Sequence, residues 1–188
     1  VGEDSIAGGC GVGVLSPDFS TDPQRPGEHL LSSDALEGLD DPRATRRLSR
    51  FACLVRASGS MAARVAGLND EEIASAAAFV GTRLGATDYT LNFYDEVIRD
   101  GLGAGNPLHF AESVPNIGSA QLSLGLGIRG VTMSTSGTAL AGVEALQLAV
   151  RHLRSGQADR ALVVAADETD PRVRAILRRL RVIEDEAT

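Results

Sequence analysis

The sequence contains no lysine and no tryptophan, and the first of these absences excludes whole classes of chemistry. All 18 basic residues are arginines. Nucleotide-binding P-loops need a lysine against the phosphates and Schiff-base enzymes need a lysine amine, so neither class fits this chain. Aromatic residues amount to 4%, which indicates a core built mainly from alanine, valine, leucine, isoleucine and glycine.

Cysteine, histidine and long apolar runs are also scarce. Cys10 and Cys53 form no CxxC pair, and His29, His109 and His152 are not spaced as metal ligands. We therefore expect no disulfide framework, no metal site and no bound cofactor. No run approaches the roughly 18 consecutive apolar residues of a membrane span, and the first residues carry no basic-then-apolar signal. These features predict a cytoplasmic protein that does not cross a membrane.

The chain is acidic and has the length of one domain. Its 188 residues include 25 acidic side chains, and the net charge is −7. The resulting field repels nucleic acids and anionic membranes, so neither is expected as a partner. Hydrophobic residues make up 43% and charged residues 23%, which is typical of a globular protein. We expect a single domain over residues 1–188 with one core.

Apolar residues alternate between short runs and helical spacing. The short runs predict strands at residues 5–15, 76–80, 131–135 and 161–166. Apolar residues at intervals of three and four predict helices at residues 41–65, 87–100, 116–126, 138–153 and from 170 onward. Residues 18–41 and 101–107 are predicted loops. Strands that alternate with helices predict an α/β fold with a mostly parallel sheet covered by helices on both sides.

The same periodicity assigns side chains to helix faces. In the last helix, one face is predicted to point inward and comprises Val173, Ile176, Leu177 and Leu180. His152 falls on a charged face of the preceding helix and is predicted to lie at the surface.

The turn after the third predicted strand is the most informative place for chemistry. Ser134, Thr135, Ser136 and Thr138 supply hydroxyl groups where a strand meets the N-terminus of a helix. Backbone N–H groups at such a turn stabilise a nucleophile or an oxyanion. These hydroxyls lie in no GxSxG elbow and have no histidine near them in sequence, so N-capping by Ser136 or Thr138 is the competing interpretation.

Residues 125–130 match the GxGxxG pattern of dinucleotide-binding proteins. That motif requires a strand that runs into the N-terminus of a helix, whereas here a helix precedes and a strand follows. We interpret these glycines as residues that let a helix end close against the sheet.

Two arginine clusters stand out in an acidic chain. The first comprises Arg43, Arg46, Arg47 and Arg50 at the start of a predicted helix, and the second lies in the last helix. Such clusters either dock an acidic partner or form a solvated face, and the sequence leaves both interpretations open.

Three segments together resemble the β-ketoacyl synthase family. Residues 41–51 resemble the family's early Arg-Arg-Met-Asp-Arg-Phe helix, with Ser49 where aspartate is usual. Residues 79–85 resemble its second-strand Val-Gly-Thr turn, and residues 106–167 follow its central block without a gap. The resemblance covers nearly the whole chain, and it implies a thiolase-like α/β fold that corresponds to the first half of a ketosynthase.

The resemblance also implies that the chain lacks the family's nucleophile. In the family, a Leu-Arg-Gly turn and a Gly-Asp-Ala-Asp turn flank the catalytic cysteine. Residues 128–130 and 156–159 match these turns, and counting from either one brings Ala139 to the cysteine position. A methyl group cannot carry an acyl intermediate. The two histidines that drive decarboxylation and condensation belong to a second half of the ketosynthases, which has no counterpart in this sequence.

One short segment is similar to chain-length factors, the inactive partners of type II polyketide ketosynthases. Residues 142–146 resemble their Gly-Leu-Asp-Ala-Leu sequence. By this resemblance, residues 131–135 would pair with the sheet of a ketosynthase or of a second copy. The resemblance implies an acyl-tunnel gate in a loop, formed by Leu108, His109 and Phe110, although these residues would equally suit packing under the chain's own sheet. It also implies a docking region for an acidic acyl carrier protein, formed by Arg43, Arg46 and Arg47.

The leading hypothesis is a non-catalytic, chain-length-factor-like subunit that pairs with an active β-ketoacyl synthase in polyketide or fatty-acid assembly and shapes its acyl tunnel. One alternative is an acyltransferase or hydrolase that uses Ser134 or Ser136 with a base from another subunit. A second alternative is one half of a split ketosynthase. Apart from these fallback serines, the sequence predicts no catalytic residue.

Overall fold

The computed structural model describes residues 45–168 and 170–181. The helices are α1 (Arg50–Val65), α2 (Asp70–Ser75), α3 (Thr87–Asp100), a 3-10 turn (Leu102–Ala104), α4 (Pro107–Ser113), α5 (Ile117–Leu126), α6 (Ala141–Arg154) and α7 (Pro171–Arg179). The strands are β1 (Ala77–Thr82), β2 (Thr132–Ser136) and β3 (Ala161–Ala165). Within these described ranges, no helix is long and apolar enough to cross a membrane. Several predictions fall outside the described residues: the strand at 5–15, the loop at 18–41, and the residues Cys10, His29 and Arg43.

The three strands form a parallel sheet in the order β2-β1-β3. Ala78 of β1 pairs with Thr132 of β2 and with Leu162 of β3, so the carboxyl ends of all three strands meet at one edge. Helices connect the strands because parallel neighbours need a crossover. The three predicted strands that fall within the described residues are found, with ends shifted by one or two residues, and the expected α/β architecture is confirmed.

α1 and α5 cover one face of the sheet. Phe51 and Val55 of α1 and Leu122 of α5 are fully buried in one apolar cluster with Val80 of β1. A Cβ on Gly118 of α5 would come within 2.8 Å of the Phe51 ring. The two helices therefore approach more closely than a larger residue at position 118 would allow.

α6 covers the opposite face with small side chains. Ala141, Ala145 and Ala149 recur every fourth residue and are buried, and the last two form a cluster with Phe79. This alanine seam brings the helix so close to the sheet that a Cβ on Gly81 would overlap the Ala141 carbonyl. The spacing of small residues thus sets the distance between α6 and β1.

The prediction that His152 lies on a charged surface is only partly correct, because the side chain is half-buried. Its ring packs against the Phe79 ring with centroids 5.0 Å apart. Its Nδ1 donates a hydrogen bond to the Leu148 carbonyl at 2.9 Å. The imidazole covers a buried aromatic side chain with its apolar body while its polar atom finds a backbone partner.

The helix predicted over residues 41–65 is interrupted at residues 46–49, between a helical Thr45 and α1, and its predicted start at residue 41 lies outside the described residues. Ser49 is the N-cap of α1, and its Oγ accepts a hydrogen bond from the Ala52 N–H at 3.2 Å. The preceding residues form a turn that is closed by the Leu48 N–H on the Thr45 carbonyl at 2.9 Å. Arg46 and Arg47 therefore lie in this turn and not in the helix.

The expected loop through Leu108, His109 and Phe110 is helical. Asn106 caps α4 by accepting the Leu108 N–H at 2.9 Å, and Pro107 occupies the first helical turn. An asparagine followed by proline is a helix-start signal. The helix is short, and α4 shows too little apolar periodicity for the pattern to reveal it.

The inward face predicted for the last helix is only half correct. Val173 and Leu177 of α7 are half-buried, whereas Ile176 and Leu180 are 54% and 66% exposed. Asp170 is the N-cap of α7, and its carboxylate accepts the Arg172 N–H at 2.7 Å.

The glycines of residues 125–130 close a helix end against the sheet. Gly127 adopts a φ of 71° at the C-terminus of α5, which is a left-handed cap. A Cβ on Gly130 would overlap the Ala76 carbonyl at the start of β1. The order of elements is helix then strand, which does not suit a dinucleotide phosphate.

Candidate functional site

The candidate site is the turn between β2 and α6, at the carboxyl edge of the sheet. Gly137 turns the chain with a φ of 91°, and Ala139 lies exposed two residues before α6 begins. Thr138 accepts the Leu140 N–H at 3.2 Å and donates to the Glu144 carboxylate at 2.9 Å. Thr138 therefore stabilises the turn, while Leu140 is the N-cap residue of α6.

Most of the neighbouring hydroxyl groups of β2 donate hydrogen bonds to other groups of the chain. Ser134 donates to the Ser119 hydroxyl at 2.7 Å, and Ser119 donates to the Asn116 carbonyl at 2.9 Å. Thr135 donates to the Ala141 carbonyl at 2.7 Å. Ser136 ends β2 in register with Thr82, and neither Ser136 nor Thr138 is the N-cap of α6, so both capping predictions are wrong.

The two histidines in the described part of the chain are bound elsewhere. His109 Nδ1 lies 2.8 Å from the Glu96 carboxylate, and His152 covers Phe79. A serine nucleophile needs an adjacent base, and these two histidines bind Glu96 and the Leu148 carbonyl instead. Across residues 45–168 and 170–181, no three His, Cys, Asp or Glu side chains are grouped as a metal site would require.

Asp167 organises the loop beside this turn. Its Oδ1 accepts the Thr82 hydroxyl at 2.7 Å and the N–H groups of Arg83 and Leu84 at 2.9 Å each. Thr82 Oγ1 in turn accepts the Gly85 N–H at 2.9 Å. One carboxylate at the end of β3 thereby fixes the turn that follows β1.

Glu168 is buried at the junction of three elements. It is 6% exposed, and its two carboxylate oxygens accept the Phe51 N–H at 2.7 Å and the Asp88 N–H at 2.8 Å. Thr87 Oγ1 donates to the same carboxylate at 3.2 Å. Burial, followed by a hydrogen bond with the Asp88 side chain, raises the pKa of Glu168 to about 7, although the Asp88 and Phe51 N–H groups act in the opposite direction.

Glu112 is a second buried carboxylate near the start of α1. It is 4% exposed and accepts the Ser49 N–H at 2.9 Å and the Gln121 amide at 2.9 Å. The sequence pattern predicts neither Glu112 nor Glu168, because the N–H groups at the start of α1 that they bind are 63 and 117 residues distant along the chain. Glu168 follows Asp167 and stands two residues before Asp170, and this polar setting gives no signal that the side chain is buried.

The predicted gate residues lie on α4, which packs on α3. Leu108 and Phe110 are exposed, and the Phe110 ring lies 5.4 Å from the Phe93 ring of α3. His109 is half-buried and meets the edge of the Tyr89 ring at 5.2 Å. Further exposed apolar side chains extend this surface along α3 and the 3-10 turn: Tyr94, Ile98 and Leu102. The gate residues thus belong to an apolar surface and do not pack under the sheet.

Two of the three predicted docking arginines are described, and both are exposed. Arg46 and Arg47 lie in the turn that precedes the N-cap of α1. Arg43 lies outside the described residues. The turn is adjacent in sequence to Ser49 and Phe51, whose N–H groups donate hydrogen bonds to the carboxylates of Glu112 and Glu168 respectively.

One large apolar surface lies on β2 and the outer side of α6. β2 is an edge strand of the described sheet. We call this surface the β2–α6 face; its members are 37% to 63% exposed and comprise Val131, Met133, Leu140, Val143, Leu146, Val150 and Leu153. α6 is therefore apolar on two sides, since its alanine seam is buried against the sheet. A helix that is apolar on both sides is typical of a buried position.

The family of the chain follows from the fold and the sequence together. Residues 24–187 match the family described as Beta-ketoacyl synthase, N-terminal domain. The parallel sheet with α1 and α5 on one face and α6 on the other has the thiolase-like α/β fold of ketosynthases. The chain belongs to the β-ketoacyl synthase family.

Solved structures share this fold at low sequence identity. The AntDE:AntF complex, a type II polyketide acyl-carrier protein with its ketosynthase, matches at 20% identity and a TM-score of 0.72, covering 80% of this chain and 44% of that one. The ishigamide ketosynthase/chain length factor matches at 20% identity and a TM-score of 0.63, covering 75% and 36%. A β-ketoacyl synthase from Burkholderia phymatum STM815 matches at 18% identity and a TM-score of 0.64, covering 74% and 35%.

The chain therefore spans less than half the length of these three solved chains. No curated protein matches the sequence.

Proposed function

We propose that this protein is a non-catalytic, chain-length-factor-like subunit that pairs with an active β-ketoacyl synthase in polyketide or fatty-acid assembly. The observation that carries the proposal is Ala139 in the exposed turn before α6. In the family resemblance this position corresponds to the nucleophilic cysteine. A helix N-terminus lowers the pKa of a thiol and favours the reactive thiolate, but an alanine methyl group forms no thioester.

The β2–α6 face supports pairing with another subunit. An edge strand exposes unpaired backbone N–H and C=O groups, and a large apolar surface beside it is costly to leave in water. A ketosynthase subunit that adds its own strand to β2 would satisfy both. One structural neighbour is the ishigamide ketosynthase/chain length factor, and we propose the same kind of pair for this chain.

The apolar surface of α4 supports a role in the acyl tunnel. Leu108 and Phe110 present bulky side chains to the outside of the subunit. When such side chains enter a partner's cavity, they limit the length of an apolar chain by steric exclusion. We therefore assign the gate to Leu108 and Phe110. His109, between them in sequence, contacts the Glu96 carboxylate.

Exposed arginines support a contact with the acyl carrier protein. Arg46 and Arg47 offer guanidinium groups to an acidic partner. Another structural neighbour is described as an acyl-carrier protein in complex with its ketosynthase, so a carrier is a partner of the kind this family accepts.

The decisive experiment is co-expression of the full chain with the ketosynthase subunit of its own gene neighbourhood, followed by native mass spectrometry. We expect a heterodimer that is lost in the double variant Val143→Glu/Leu146→Glu. The matched control, Ile176→Glu/Leu180→Glu on α7, changes two similarly exposed apolar residues away from that face and should leave the heterodimer intact. A chain that stays a stable monomer beside the ketosynthase would contradict the pairing.

A second measurement tests the absence of catalysis. The heterodimer is incubated with an acyl-carrier thioester, and both chains are digested and mapped by mass spectrometry. We expect the acyl group on the ketosynthase and none on this chain. A stable acyl adduct on Ser134 or Ser136 would instead favour an acyltransferase or hydrolase.

A further inference from the structure

Two buried carboxylates hold the N-terminus of α1 from outside the helix. Glu168 accepts the Phe51 N–H at 2.7 Å, and Glu112 accepts the Ser49 N–H at 2.9 Å. The Ser49 hydroxyl accepts the Ala52 N–H at 3.2 Å. Three N–H groups that α1 cannot satisfy internally are thus bound, two of them by side chains from other elements.

Glu168 binds the N-terminus of α3 with the same carboxylate. Its second oxygen accepts the Asp88 N–H at 2.8 Å and the Thr87 hydroxyl at 3.2 Å. Thr87 Oγ1 also accepts the Asp170 N–H at 3.0 Å, which ties α7 to this junction. A negative charge between two helix N-termini is favoured by both helix dipoles, so the charged carboxylate holds α1 and α3 in a fixed relation.

We propose that Glu168 is a positioning residue whose carboxylate fixes the orientation of the turn at Arg46 and Arg47 through the N-terminus of α1. Uptake of one proton by this carboxylate weakens its hydrogen bonds to that N-terminus and frees the turn. The proposal rests on the docking role assigned above to Arg46 and Arg47. Only two residues separate Arg47 from Arg50, the first residue of α1.

The chemistry around Glu168 suits a proton-dependent contact. Burial, followed by the charges of Asp88, Glu112, Cys53 and Glu168, raises the pKa of the Tyr89 phenol. Several acidic groups therefore lie near one another at this junction. Burial raises the pKa of Glu168 to about 7. Hydrogen bonds to a charged acceptor are roughly twice as strong as neutral ones, so protonation weakens the bonds from Phe51 and Asp88.

Amide hydrogen exchange on the full chain tests the contact directly. Between about pH 6 and about pH 8, we expect protection of the Phe51 and Asp88 amides, corrected for intrinsic exchange, to rise roughly fivefold relative to the Ala52 amide. The Ala52 amide is the internal reference because it binds Ser49 and not Glu168.

Two variants make the test specific. Glu168→Gln keeps the shape of the side chain but removes its charge, so protection at Phe51 and Asp88 should be low and independent of pH. Glu72→Gln is the matched control, because Glu72 is a carboxylate that binds the Asn69 N–H at another helix start, at 3.0 Å. Unchanged protection across the pH range in the wild-type chain, or wild-type behaviour of Glu168→Gln, would overturn the proposal.

A binding measurement with the acyl carrier protein tests whether the Glu168 contact affects docking. We expect Glu168→Gln to bind the carrier about three- to tenfold more weakly at pH 8 and about equally at pH 6, a pH profile that general destabilisation would not produce. If protection follows Glu168 but carrier affinity does not, the positioning of a docking turn is disproved. If the carrier does not bind the wild-type chain at all, the docking role fails, while the exchange data still report on the contact itself.

Discussion

The side chain at position 139 lies where local geometry would activate a thiol. Ala139 is exposed, and it precedes α6 by two residues at the end of a tight turn. We predict that Ala139→Cys introduces a thiol whose pKa is lowered by the helix N-terminus. Its alkylation by iodoacetamide at neutral pH should be about three- to tenfold faster than that of a thiol in an ordinary position.

Ala175→Cys provides that ordinary position, since Ala175 is an exposed residue inside α7. Labelling rates for both variants are read by intact-mass spectrometry and peptide mapping. Equal rates at the two sites would show that the turn before α6 has no activating field, and would weaken the correspondence with a nucleophile position.

Glu168 also predicts how stability changes with pH. Burial raises the pKa of this carboxyl group to about 7, from 4.5 for an exposed glutamate. The folded chain therefore holds the proton more tightly, and this stabilisation is complete below about pH 4.5 and lost as the pH rises through 7. We expect the free energy of unfolding to fall by about 1–3 kcal/mol over that interval.

Urea unfolding at several pH values measures this change, and Glu168→Gln should remove it while leaving the rest of the pH profile in place. A wild-type chain that becomes more stable between about pH 5 and about pH 7 would contradict the assignment. The expected direction is opposite to that of the local contact, because protonation weakens two hydrogen bonds but removes a buried charge.

At the scale of elements, the packing of α6 on β1 depends on the absence of a side chain at Gly81. A Cβ there would overlap backbone atoms of Ala141 and Gly142, which cannot move without displacing the helix. We predict that Gly81→Ala destabilises the chain by about 2–4 kcal/mol, as measured by urea unfolding. Gly103→Ala is the control, because nothing lies within 4 Å of its added Cβ, and its effect should be small.

Local sequence patterns predict the long helices of this chain better than the short ones. α3 spans Thr87–Asp100 as predicted, because its apolar residues recur at helical spacing and Gly101 ends it. α4 was predicted as a loop, although Asn106 and Pro107 are a helix-start signal, because one short helix presents too few residues for a periodic pattern. The partial burial of His152 was not predicted, because its partner Phe79 is distant in the chain.

At the scale of the whole molecule, an acidic chain presents a small basic turn. Arg46 and Arg47 are exposed within a protein of net charge −7. We predict that Arg46→Glu/Arg47→Glu weakens carrier binding at least tenfold, chiefly through slower association. The wild-type affinity should itself fall as salt rises from about 0.05 M to about 0.3 M, since exposed charges are screened.

Arg99→Glu/Arg129→Glu is the matched control for that variant. It makes the same change in net charge at two exposed arginines on other surfaces. Surface plasmon resonance with immobilised carrier protein gives both rate constants. Equal losses in the two variants would mean that total charge, and not the turn before α1, governs the association.

The amino-acid sequence by itself determined the alternation of strands and helices, the family, and the residue at position 139, because each of these depends on the order and spacing of residues close together in the chain. The tertiary structure decided which distant groups meet. It brought Glu112 and Glu168 to the first turn of α1, turned Ile176 and Leu180 outward and left β2 at an edge of the described sheet. These outcomes depend on hydrogen bonds and packing between residues far apart in the chain, and periodicity within one segment holds no information about them.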